Sequence, residues 1–128
     1  MNRHQLRENT VVCIYQKLVV KKLTSMNDIV KGVFDIENLN SLDTYVKLTL
    51  KTALENRKEY IGYINAVLND YKYNRLGFME QAILLVACAE FDLKETDANV
   101  IINEAVIIAK KYCDEDAYKL INVTLERL

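Results

Sequence analysis

The residues best suited to chemistry gather at the start of the chain. At about 100° per residue, Arg3, Arg7, Thr10, Ile14, Lys17 and Lys21 fall along one side of a helix. Four cations on such a stripe can track a phosphate backbone by neutralising successive charges. The same pattern suits the exposed flank of an ordinary amphipathic helix, and spacing alone leaves both open. His4 is the only histidine in the chain, so a Ser–His–Asp triad has little to build on.

The other polar groups in unusual surroundings are Asn103 and Glu104, side by side within the apolar stretch "VIINEAVIIAKKY". Ile101, Ala105, Ile108, Ala109 and Tyr112 share one face of that segment, with Glu104 between Ile101 and Ile108. A buried amide or carboxylate needs a partner, since an unpaired one costs a few kcal/mol. Either the two lock neighbouring helices by hydrogen bonds or they are exposed and serve a partner; a lock is expected. "DEDA" at 114–117 lacks the alternating ligands and glycine of a calcium loop and suits a helix N-terminus. The cysteines at 13, 88 and 113 contain no CxxC, which suggests reduced thiols in packing roles and no metal site. No glycine-rich phosphate loop and no cofactor motif can be written, so an enzyme is not expected.

These residues must be carried by helices. Proline is absent and there are only three glycines, too few for a series of tight hairpins. A first helix is expected over 4–22. A second, opened by Ser25 with Asp28 three residues on, runs to about Phe34. Asn40 or Ser41 caps a third, striped by Val46, Leu50, Ala53 and Leu54, which breaks near "ENRKE". A fourth carries Ile61, Ile64, Val67, Leu68 and Tyr71. "YKYNRLG" closes it, with Gly77 as a turn. "FMEQAILLVACAEF" is a fifth, Asp97 caps a sixth, and a seventh restarts at Asp114. The expectation is an all-α single domain, a bundle of about six or seven helices over residues 1–128.

Composition narrows the function. A net charge of −1 lacks the overall basic footprint of a dedicated nucleic-acid binder, so any such binding must be local. The start, "MNRHQLRENT", has no secretory character. The longest apolar run, "AILLVACA", is far short of the roughly 20 residues that span a bilayer. A cytoplasmic protein without membrane contact is expected.

Three segments, in order, resemble the NusB family. "INEAVIIAKKYCDEDAYKLINVTLERL" is similar to the family's C-terminal signature, an INEAV motif with a downstream AK, an acidic turn and a closing helix. "NRHQLRENTVVCIYQ" resembles its arginine-rich opening, with Arg3, Arg7, Glu8 and Tyr15 in place. "FMEQAILLVACAEF" looks like its VERAIL helix, and "YKYNRL" sits where the family has an aromatic and an Arg-Leu. The likeness is strong from about residue 78 onward, fair over 3–16 and weaker between. His4 and Leu85 stand where the family has arginines, Leu120 where it has an aromatic, Val123 where it has a glycine and Asp97 where a proline is frequent.

The resemblance implies an all-helical RNA-binding adaptor that pairs with the NusE ribosomal protein. The pair grips boxA RNA, loads onto RNA polymerase in an antitermination complex and favours ribosomal RNA transcription. By the same resemblance Arg3, His4, Arg7, Tyr15, Tyr71, Asp116 and Leu120 fall at RNA-binding positions and Glu80 at the NusE contact. Asn103, Glu104 and Asn122 would be structural. Two alternatives stay open: an oligomerisation module with little RNA binding, including a homodimer through the partner's surface, or a fragment of a ribosomal RNA methyltransferase carrying a NusB-like domain.

Overall fold

A computed structural model describes all residues, Met1–Leu128. It is all-helical: α1 Arg3–Val20, α2 Met26–Phe34, α3 Thr44–Glu55, α4 Arg57–Val67, α5 Phe78–Leu93, α6 Ala98–Tyr112 and α7 Glu115–Arg127, with single 3-10 turns at Leu39–Ser41 and Tyr73–Arg75. Four of the seven helices begin where a short polar side chain satisfies a free backbone N–H group. Asn2 and Gln5 cap α1 reciprocally, Ser25 accepts from the Asp28 N–H, and Asp114 accepts from the Ala117 N–H. The third helix is capped by Asp43; the expected caps Asn40 and Ser41 lie instead in the 3-10 turn before it. Asp97 precedes α6 without a side-chain bond to it.

The chain is folded around α5. Every residue from Gln81 to Glu90 is buried, because α1, α3, α4, α6 and α7 all pack against this helix. A helix apolar on all sides needs such an enclosure. α1 additionally packs on α2 and α3, and α6 on α7. The fourth helix stops at Val67, so Tyr71 lies beyond it in the link to α5. Gly77 makes no unusual turn: it is the N-cap of α5 with ordinary backbone angles. No helix is long and apolar enough to cross a membrane.

Candidate nucleic-acid interface

The cationic stripe on α1 is corrected by the fold. Arg7, Thr10 and Ile14 are its buried face, because α1 lays this side on α5. Arg7 is only 3% exposed, so it is withdrawn from the phosphate-binding role expected of it. Its Nε donates to Glu90 Oε2 at 2.7 Å and its Nη2 to Oε1 at 2.8 Å, the two-pronged geometry that suits guanidinium and carboxylate. Burial would lower the arginine's pKa. The Glu90 hydrogen bond, with Tyr45 and the charges of Glu90 and Glu104, more than offsets it.

Arg3, one turn earlier, is exposed. Its guanidinium stacks over the Tyr45 ring, 4.3 Å from the centroid, while that of Arg7 lies 5.7 Å from the same ring. Tyr45 on α3 therefore orders the cation that remains free for a ligand. Nothing in the sequence marks Tyr45, since only the packing of α1 on α3 brings it there.

Of the two residues expected to lock helices, the structure pairs one with a neighbouring helix. Glu104 is partly buried; it hydrogen-bonds the His4 Nδ1 and lies 3.8 Å from Arg7 Nη1, tying α6 to α1. Its neighbour Asn103 is exposed and its side chain makes no hydrogen bond to another residue, so its expected locking role is corrected: a step of about 100° takes it off the interface. Asn122 is half-buried on α7, and it too makes no side-chain hydrogen bond. Beside Glu104, Glu8 accepts from Lys111 Nζ and from the Tyr112 hydroxyl, both at 2.8 Å. Its carboxyl is held below the usual value, first by the Lys111 bond. His4 sits between the two carboxylates, with Nε2 3.9 Å from Glu8, so it serves α1–α6 packing while keeping one edge toward solvent.

A second cluster forms at the other end of the chain. A cleft of about 330 Å³ between the segment after α4 and helix α7 is lined by Tyr71, Asp116 and Leu120 together with Lys119, Val123 and Arg127. Three residues singled out by motif thus converge in space, although 45 positions separate Tyr71 from Asp116. Tyr71 is 46% exposed and offers an open ring; Lys119 and Arg127 add positive charge that no motif marks. Lys119 also pairs with Glu115 at 2.7 Å.

Glu80 lies half-buried in the first turn of α5. Burial raises its carboxyl pKa, the backbone of Gly77 opposes that, and Asp114 adds to it. A side chain at position 77 would meet the Glu80 carboxylate at 3.3 Å, so glycine leaves that space open. Glu80 therefore faces the turn between α6 and α7. Tyr15 is half-buried against the core and lines neither cluster. Leu85, at a family arginine position, is 1% exposed and adds no charge. Burial pushes the thiols of Cys13 and Cys88 up to about 12, in keeping with packing roles.

Comparison with known proteins gives one consistent result. The model of the NusB family matches residues 4–128. A transcription antitermination protein NusB of Campylobacter hominis is 29% identical over 127 residues, covering 98% of this chain and 95% of the relative. That of a Cyanothece species is 40% identical over 78 residues, covering 61% of this chain and 37% of the relative. The chain thus spans nearly the whole of some relatives and little more than a third of others. A crystal structure of the antitermination factors NusB and NusE with double-stranded RNA superposes with a TM-score of 0.81 at 26% identity, over 97% of this chain and 92% of that one. T. maritima NusB shares the fold, with a TM-score of 0.83 at 23% identity over 99% and 89% of the two chains.

Proposed function

The chain belongs to the NusB family, and on that premise we propose that it is a transcription antitermination factor. It binds boxA-type RNA jointly with a NusE-type ribosomal protein, joins the RNA polymerase antitermination complex and promotes ribosomal RNA transcription. The observation that carries this reading is the cleft that gathers Tyr71, Asp116 and Leu120. An exposed phenol ring can stack on a base, a carboxylate can accept from a cytosine amino group, and Lys119 and Arg127 beside them can meet phosphates. Arg3, ordered on Tyr45, supplies a further phosphate contact.

The role is one of binding, with no catalytic step, cofactor or metal, and the RNA it serves would place it in the cytoplasm. Residues 1–128 act as one RNA-binding unit. A net charge of −1 provides little general attraction for a polyanion, so the partner contributes part of the RNA affinity. Glu80 serves the partner contact: a half-buried carboxyl with a raised pKa is stabilised when a cation or donor approaches it.

The test is RNA affinity measured for the chain alone, for the NusE-type protein alone and for the pair, on boxA and on a scrambled RNA of the same composition. The pair is expected to prefer boxA and to exceed either component. Equal affinity for both RNAs overturns the proposal.

A further inference from the structure

The burial of Arg7, Thr10 and Ile14 divides the cations of α1 and of the turn that ends it into two groups. Arg3 stands at one end. At the other, Lys17, Lys21 and Lys22 rim a separate concavity of about 410 Å³ and are joined there by Arg57 from the start of α4. Its lining contains no acidic residue, and none of the four cations is in an ion pair. Elsewhere in the protein most of the charged groups near α1 are paired, as Glu8 is with Lys111 and Arg7 with Glu90.

Two features make this more than a charged flank. Lys17 is fixed, its Nζ donating to the Thr24 carbonyl at 2.8 Å, and Lys21 holds the helix end with φ at 54°, so the cations stand on an ordered turn. Phe78, 42% exposed, and Leu54, 40% exposed, lie inside the cationic rim. An open aromatic ring set among cations is the arrangement by which proteins hold single-stranded nucleic acid, stacking a base while the cations follow the backbone.

We propose that this concavity is a second RNA site, taking a nucleotide of a single strand with its base on Phe78 and its phosphates on Lys21, Lys22 and Arg57. Helix α1 has 18 residues and is about 27 Å long, so the site lies about that distance from Arg3. It would engage RNA flanking the segment held at Arg3 and in the Tyr71 cleft. The proposal rests on the RNA-binding function above and adds the path of the flanking strand.

The experiment uses the full chain with its NusE-type partner and three probes: a short boxA oligonucleotide, the same sequence extended at both ends, and an acidic polyglutamate peptide. Lys21→Gln with Lys22→Gln is expected to leave the short RNA unaffected. For the extended RNA it is expected to reduce the slope of log affinity against log salt by about 1.4, roughly 0.7 for each single-strand phosphate no longer neutralised. Phe78→Ala is expected to weaken the extended RNA roughly tenfold at constant salt slope, the scale of removing one stacked base. Both variants change exposed side chains, and unchanged circular dichroism spectra confirm that they fold.

An unchanged slope and affinity on the extended RNA overturn the proposal. So does a loss confined to an acidic polyglutamate peptide, which would assign the patch to an acidic protein surface. If the pair binds boxA no better than scrambled RNA yet the variants still lose slope, the antitermination function fails while this site stands.

Discussion

The guanidinium of Arg7 and the carboxylate of Glu90 meet inside the protein with two hydrogen bonds of 2.7 and 2.8 Å, and each side chain is under 5% exposed. The pair joins α1 to the C-terminal half of α5 and sits beneath Tyr45 of α3 and beside Glu104 of α6. It holds the helix whose N-terminal end presents Arg3. In the proposed RNA-binding role its contribution is through positioning.

Removing one member leaves the other charged and buried. Arg7→Ala is expected to lower unfolding free energy by about 3–5 kcal/mol, read from urea denaturation. Replacing both residues by well-packed apolar side chains is expected to cost far less. Where the Arg7→Ala protein remains folded, the salt slope of RNA binding should not fall, because a buried arginine releases no counterion. A reduced slope would restore Arg7 to the RNA surface.

Leu120 provides the apolar wall of the Tyr71 cleft but no ring. Leu120→Phe is expected to tighten RNA binding roughly tenfold by adding a stacking surface, and Tyr71→Ala to weaken it by a similar factor. Fluorescence titration of labelled boxA RNA by the pair measures both. If neither change moves the affinity, the cleft does not hold RNA.

Burial raises the Glu80 carboxyl pKa above the usual 4.5. A partner that favours the ionised form binds best above the raised value and loses affinity as the pH falls through it, by up to a decade per pH unit. The NusE-type partner is therefore expected to bind progressively more weakly on acidification, and Glu80→Gln to flatten that dependence. Calorimetric titration across the acid range checks both, and a pH-independent wild type would remove Glu80 from the contact.

Glu8 moves the other way: its folded pKa lies below 4.5, chiefly through the Lys111 bond. The stability it contributes is present above 4.5 and is lost as the pH falls through the lower folded value. Because Lys111 is 59% exposed, the effect is small. Glu8→Gln should cost no more than about 1 kcal/mol at neutral pH, and its melting temperature should converge on the wild type in acid. A gap that persists in acid would mean that Glu8 acts by packing.

Much of the fold was legible in the sequence because its signals are local. Caps such as Ser25 and Asp114 act within one turn, the apolar period of each segment is fixed by helix geometry, and the scarcity of glycine and proline excludes other connections. The INEAV segment and the arginine-rich opening identified the family without reference to any contact. What lay beyond the sequence was which side of each helix the neighbours would cover. Arg3 and Arg7 are alike by type and spacing, yet α5 buries one and leaves the other on Tyr45. Asn103 and Glu104 are adjacent, yet the approach of α1 recruits only Glu104. Tyr71 meets Asp116 and Leu120 only because the segment after α4 comes to lie on α7. Local propensity acts over a few residues, whereas the burial of a charge is decided by contacts between residues as far apart as Arg7 and Glu90, 83 positions distant, which exist only once the helices have packed.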